Sequence, residues 1–146
     1  VYKRQGFDHT SVGVMQLLNI TNPGAGNYFT FPGASGKRRR LWLLTFTLST
    51  DVNVANRQVL LVFRHGAIDV GYMIHPDVQA ASLQRIYSLI SHYAGLPYSS
   101  GSYFIFPFNR NFLFTPQTTI RITAVNLQAG DTFTAINGTV EDFIGD

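Results

Sequence analysis

RLWLLTFTLSTDVNVANRQVLLVFR, residues 40–64, predicts two β-strands joined by a short polar connection. Strand-forming residues dominate both arms, and no Pro or Gly interrupts either of them. On one face, the first arm carries Trp42, Leu44, Phe46 and Leu48. Large apolar groups at every second position indicate that one face of each strand packs on a core.

Similar short segments recur along the chain, separated by Gly, Pro and Asn turn signals. Residues 119–127 predict a further strand. Residues 132–144 predict a closing strand, with a hairpin turn at Asn137-Gly138 as the alternative. In total we count roughly eight short strands. The sequence therefore predicts an all-β protein, a single jelly-roll-like β-sandwich of about eight antiparallel strands.

Residues 80–93 are ambiguous because two periodicities overlap there. Leu83, Ile86, Tyr87 and Ile90 have helical spacing. The surrounding strands favour a strand instead, and tertiary context often overrides local propensity. We therefore predict a strand in this segment.

The chain of 146 residues has the size of one domain. We assign residues 27–146 to the β-sandwich and residues 1–26 to an N-terminal arm. Residues 1–5 include no Met and look like translated sequencing adapter, so no weight is given to them. No signal peptide is visible, and no apolar run approaches the ~18 residues of a transmembrane helix, so no membrane contact is expected.

The composition is low in charge and high in aromatic residues. It is 45% hydrophobic, 14% aromatic and 13% charged, whereas about a quarter of the residues in an ordinary domain are charged. We expect much of the surface to be buried against other subunits. The alternative is one sandwich with an unusually large aromatic core. The absence of cysteine excludes disulfides, Cys-based zinc sites and thiol catalysis.

Positive charge is concentrated in one run of four cations, Lys37, Arg38, Arg39 and Arg40. Such a run can bind phosphate, although more often it is a solvated edge or a contact with an acidic neighbour. Because it lacks the interleaved aromatic residues of a stacking platform, we do not expect nucleic acid to be the partner.

No catalytic pattern is evident. Glu141 is the sole Glu, and the Asp residues are scattered over turn positions. The four His share no metal-ligand spacing, and His75-Pro76-Asp77 is best explained as a turn. We predict no enzyme activity, no catalytic residues, no cofactor and no metal.

Three tyrosines, Tyr93, Tyr98 and Tyr103, flank a Gly- and Ser-rich loop. Together they have the composition of an aromatic platform that binds sugars, such as those of a host-surface glycan. The alternative is that they pack at the rim of the sandwich or in a seam between subunits.

Two regions, residues 27–64 and 118–144, carry a family likeness. Its motifs are Phe31-Pro32, Leu41-Trp42-Leu43-Leu44, Thr47-Leu48-Ser49-Thr50, Val54-Ala55-Asn56-Arg57-Gln58-Val59, Ile120-Arg121-Ile122, Asn126-Leu127-Gln128-Ala129-Gly130-Asp131 and Val140-Glu141-Asp142. They resemble small β-sandwich virion proteins of tailed bacteriophages. Residues 66–117 do not match this pattern.

The resemblance implies a capsid decoration, cement or head-fibre protein that is incorporated into the virion after assembly in the bacterial cytoplasm. It also implies a symmetric homo-oligomer, with a trimer as the expected form. The implied partners are the major capsid protein or other virion proteins. The alternative function is a carbohydrate- or receptor-binding module of a tail fibre or an enzyme.

Overall fold

The computed structural model describes residues 13–91, 95–109 and 112–144. These residues form eleven strands and no helix. The strands are β1 (Val14–Asn19), β2 (Phe29–Phe31), β3 (Lys37–Ser49), β4 (Gln58–His65), β5 (Ile68–Ile74), β6 (Gln84–Ile90), β7 (Tyr98–Ser100), β8 (Tyr103–Pro107), β9 (Leu113–Phe114), β10 (Thr118–Val125) and β11 (Thr132–Ile144).

The strands form two sheets that pack against each other, as the sequence predicts. The large sheet has the order β1-β11-β3-β6-β8-β7, and β9 pairs with the first residues of β3. The small sheet has the order β2-β10-β4-β5. The β-sandwich is thereby confirmed, with eleven strands where about eight were expected. The additional strands include β7 and β9, which are two or three residues long.

One strand pair departs from the expected antiparallel arrangement. β6 and β8 are parallel, with Ile86 opposite Tyr103 and Ile90 opposite Pro107. The chain between them contains β7, which pairs antiparallel with β8. A connection of a dozen residues is long enough to return the chain to the same end of the sheet, as parallel pairing requires. The strand expected within residues 80–93 is confirmed over Gln84–Ile90.

The two arms of residues 40–64 are strands, but they lie in different sheets. β3 belongs to the large sheet and β4 to the small one, so their connection crosses between the layers. Leu44, Phe46 and Leu48 are fully buried, as alternation predicts. Trp42 is not, because a register shift between Thr139 and Val140 leaves it as an extra residue in β3. Leu41 takes the buried position instead.

The alternative hairpin at Asn137-Gly138 does not form, since β11 runs through both residues. A bulge precedes them, between Thr134 and Asn137, and Ala135 there has a positive φ of 49°. Gly138 has a packing role: a Cβ at this position would meet the ring of Phe31 at 3.3 Å.

The core between the sheets is mostly aromatic. The rings of Phe46 and Tyr87 are stacked with their centroids 5.3 Å apart. Phe29 and Phe133 pack against Phe46 edge-to-face, with ring centroids 5.3 and 5.7 Å from that of Phe46. Such pairs contribute about 0.5–1.5 kcal/mol each beyond the area that they bury. Much of the aromatic composition is therefore used inside the sandwich.

Candidate interaction surfaces

The four consecutive cations open β3 and pair with the end of β11, so alternate side chains face opposite sides. Arg39 turns inward and is buried, while Lys37 and Arg38 are exposed. Arg40 is half-buried and donates to Glu141 at 3.3 Å. The structure therefore leaves two of the four, Lys37 and Arg38, on the open surface.

Arg39 forms a bidentate ion pair with Asp142. Its Nε donates to Oδ1 at 2.7 Å and its Nη2 to Oδ2 at 2.9 Å, and Nη1 donates to the carbonyl of Pro32 at 3.3 Å. These hydrogen bonds outweigh burial and hold the pKa of Asp142 below its usual range. Arg39 thus closes one end of the sandwich and is not available to a partner.

Two of the platform tyrosines, Tyr98 and Tyr103, come together on β7 and β8. Tyr98 lies opposite Ile105 and Tyr103 opposite Ser100, which makes the tyrosines diagonal neighbours on one face, about 7–8 Å apart. They are 51% and 58% exposed. Tyr93 lies outside the described residues.

These tyrosines belong to the outer face of the large sheet, which we call the large-sheet face. Its registers define three rows across the strands. The rows are Leu17–Thr139–Leu43–Ile90–Pro107, Asn19–Asn137–Thr45–Ser88–Ile105–Tyr98 and Thr134–Thr47–Ile86–Tyr103–Ser100. None of these residues is charged. The nearest charges on this side, Arg40 and Glu141, pair with each other.

A second apolar surface lies on β5, at the edge of the small sheet. Its exposed apolar side chains are Ile68, Val70, Tyr72 and Ile74, and the exposed Asp69 among them pairs with Arg64. Tyr72 and Ile74 lie opposite Val62 and Leu60 of β4, on the outer face of that sheet. This surface and the large-sheet face therefore lie on opposite sides of the sandwich.

A buried charge network, which sequence reasoning missed, centres on Arg57, the last residue before β4. Arg57 is 0% exposed. Its five hydrogen bonds go to Asp131 Oδ2 (2.9 Å), Asp131 Oδ1 (2.9 Å), Asp51 Oδ1 (2.6 Å), the carbonyl of Asn53 (2.9 Å) and the carbonyl of Ala55 (2.6 Å). A full set of partners indicates a structural clamp, because no donor is left for a ligand.

Asp131 completes this clamp. Burial alone would raise its pKa, but hydrogen bonds from Arg57 and from the backbone N–H groups of Gln128 and Asp51 outweigh burial and lower it. The sequence signal was weak because Asp131 occupies a turn, where Asp is common for backbone reasons.

His75, which the sequence placed in a turn, is also buried. It is 0% exposed, and the rings of Phe104 and Phe106 lie 5.0 and 4.8 Å from it, edge-on. Its Nδ1 accepts a hydrogen bond from the backbone N–H of Asp77 at 3.1 Å, within the turn expected there. Its Nε2 is buried with no partner in hydrogen-bonding geometry.

Burial lowers the pKa of His75 below its usual value. The carboxylate of Asp77 and the backbones of Tyr98 and Ile105 act in the opposite direction without cancelling it. The imidazole of His75 therefore lies inside an aromatic shell, with its Nδ1 engaged within the turn.

Among the described residues, no three His, Asp or Glu side chains are grouped so that they could hold a metal ion. The same residues contain no helix long and apolar enough to span a membrane. Comparisons of the chain with protein-family models, with curated proteins and with solved structures found no match.

Proposed function

We propose that this protein is a non-enzymatic structural component of a tailed-bacteriophage virion, a capsid decoration, cement or head-fibre subunit that acts by adhesion. The observation that carries the proposal is a pair of surfaces on opposite sides of the sandwich, the large-sheet face, whose three rows carry no charge, and the exposed apolar side chains of β5. A subunit that holds two partners at once needs two such surfaces. The motif resemblance supplies the phage context, and the three comparisons add nothing to it.

Adhesion fits the distribution of charge. Four arginines of the described residues form ion pairs with carboxylates inside the same chain, Arg39, Arg40, Arg57 and Arg64. Contacts with neighbours therefore rest mainly on apolar and uncharged polar groups, with the exposed Lys37 and Arg38 as the cations left for an acidic neighbour. Such contacts weaken little with rising salt, because screening acts mainly on exposed charges. Virion partners are the major capsid protein and further copies of this chain.

The test uses a phage whose genome encodes this sequence. Particles lacking the protein are prepared by deleting its gene, and the purified protein is added back and sedimented with them. We expect saturable binding at a fixed number of copies per particle. Absence of the protein from wild-type particles, together with no binding to the deleted ones, would overturn the proposal.

A matched pair of variants locates the contact. Tyr72→Glu places a charge on the exposed side of β5, where Tyr72 is 66% exposed, and is expected to weaken binding to particles. Val54→Glu places the same charge on a side chain that is 99% exposed in the connection between β3 and β4, and is expected to bind like the wild type.

Carbohydrate recognition is the second candidate, and the diagonal placement of Tyr98 and Tyr103 on one face favours it. Two exposed aromatic rings on one face suit stacking against sugar. A carbohydrate-binding module would bind glycans saturably as a monomer, and Tyr98→Ala would abolish binding. Tyr72→Ala, on the other side of the sandwich, is the control.

A further inference from the structure

We propose that the large-sheet face is the surface on which a second copy of this chain packs, face to face about a twofold axis. The inference rests on the proposed function, because it names the surface through which a structural subunit meets its own copies. It also replaces the expected trimer by an assembly with an even number of chains, since one patch that pairs with itself is isologous.

The composition of the face is the first argument. Its three rows contain no charged residue. Depletion of charge at the centre is the compositional mark of an interface core. Arg40 and Glu141, at one margin, neutralise each other at 3.3 Å, so two identical faces meet without like-charge repulsion.

The second argument is self-complementarity. The middle of the face carries Asn137, Thr45 and Ser88 in adjacent strands. Each of these side chains both donates and accepts hydrogen bonds, so each is able to pair with a copy of itself. The neighbours of this polar centre are three apolar and three more uncharged polar side chains, Leu43, Ile90, Ile86, Thr139, Thr134 and Thr47.

The third argument is area. Six strands about 4.8 Å apart make the face about 29 Å wide, and three rows of alternate residues make it about 20 Å tall. The product is roughly 600 Å² before side-chain relief is counted. A stable interface buries about 800 Å² on each partner. The flat area of the face is therefore about three quarters of that value, and Trp42 and Met15 at its margin extend it.

The experiment compares two glutamates placed in equivalent positions on opposite sides of the sandwich. Thr45→Glu puts a charge at the centre of the large-sheet face, on the inner strand β3. Thr123→Glu puts the same charge on the outer face of the small sheet, on the inner strand β10. Both threonines are half-buried. Native mass spectrometry and sedimentation velocity give the number of chains, and circular dichroism checks that each variant is folded.

We expect an even number of chains for the wild type and for Thr123→Glu. For Thr45→Glu we expect half that number, or a dissociation constant at least tenfold higher. A trimer, or a folded Thr45→Glu that associates like the wild type, would overturn the inference and leave the proposed function standing.

A monomeric wild type would also overturn the inference, whether the face is then covered by this chain's own residues or by a capsid neighbour. The free energy of unfolding distinguishes these two cases. If this chain's own residues cover the face, Thr45→Glu is less stable than Thr123→Glu, and if a capsid neighbour covers it, the two variants are equally stable. The proposed function fails separately, when the protein neither occurs on particles nor binds them.

Discussion

Arg57 and Asp131, which are 74 residues apart in the chain, meet in a buried bidentate ion pair with two hydrogen bonds of 2.9 Å. Arg57 precedes β4 of the small sheet, and Asp131 precedes β11 of the large sheet. Asp51, which follows β3, adds a bond of 2.6 Å. The pair thus fastens the place where the chain crosses between the layers.

Replacement of Arg57 by Lys is expected to destabilise the fold strongly. An ammonium group is a point charge and cannot reproduce the fork that satisfies both oxygens of Asp131 and two carbonyls at once. Lys keeps the charge but has three donors where Arg57 uses five, so at least two buried acceptors lose their hydrogen bond, at a cost of about 1–3 kcal/mol each. The free energy of unfolding is measured by urea denaturation at pH 7.

Arg64→Lys is the matched control for this prediction. Arg64 pairs with Asp69 at 2.7 Å across the β4–β5 hairpin, in contact with water. Pairs of this kind contribute about 0–1 kcal/mol. Equal losses for the two lysine variants would mean that burial of Arg57 is not what gives its ion pair weight.

Local sequence determined the strands better than it determined which strands are neighbours. Period-two alternation correctly placed Leu44, Phe46 and Leu48 in the core. It misplaced Trp42, because the extra residue at a bulge moves the side chains that precede it in the strand to the opposite face of the sheet from the one that alternation predicts. The position of that bulge depends on the partner strand, β11, and no pattern within residues 40–64 contains it.

The sites show the same division. Four adjacent cations suggested one basic surface, but each has a different environment because successive residues of a strand face opposite sides. Arg39 found its partner, Asp142, 103 residues away. The low content of charged residues could have indicated the buried ion pair. In a chain with so few ionised groups, an Arg directly before a strand, such as Arg57, and an Asp in a turn, such as Asp131, are candidates for pairing with each other.

Acidification is expected to destabilise the protein through His75. Its pKa in the folded state is lowered, so the folded state binds fewer protons than the unfolded state, whose His titrates near ~6.5. The contribution of His75 to stability is therefore complete above pH ~6.5 and is lost as the pH falls through and below that value, by up to about 1.4 kcal/mol per pH unit.

His75→Gln is expected to flatten the dependence of unfolding free energy on pH between ~6.5 and ~5. His65→Gln, at an exposed position in the β4–β5 hairpin, is the control and should retain the wild-type slope. Asp131 and Asp142 do not interfere in this window. Their pKa values are lowered on folding, so their contributions fade only below the unfolded value of ~3.9. An unchanged slope in His75→Gln would contradict the assignment.

Gly33 is expected to tolerate no side chain. A Cβ there would overlap the carbonyl oxygen of Thr115, which belongs to the backbone and has little room to move. Gly33→Ala should therefore reduce the free energy of unfolding by about 1–3 kcal/mol, the usual cost of overpacking.

Gly71→Ala provides the contrast, because a Cβ in that position of β5 meets only the ring of Phe63, at 4.0 Å. Ala also loses less conformational entropy than Gly on folding. We expect Gly71→Ala to be neutral or slightly stabilising in the same urea titrations. A Gly33→Ala protein as stable as Gly71→Ala would show that the approach of Thr115 is looser than the structure has it.

Trp42, the sole tryptophan, reports directly on the large-sheet face. It lies at the bulge of β3, half-buried, beside Leu43 at the margin of that face, and its Nε1 donates to Glu141 at 3.1 Å. If a second copy covers the face, Trp42 loses contact with water. Its emission should then shift to shorter wavelength, and its quenching by acrylamide should decrease, as the protein concentration rises.

The titration runs from about 0.1 to about 100 μM, which brackets the dissociation constants of ordinary dimers. Thr123→Glu should follow the wild-type curve. Thr45→Glu should stay at the emission of the dilute protein, because a charge without a partner at the centre of the face has to be desolvated before the copies meet. An emission maximum and a quenching constant that depend on concentration equally in both variants would mean that the chains associate through another surface, with the β5 edge as the next to examine.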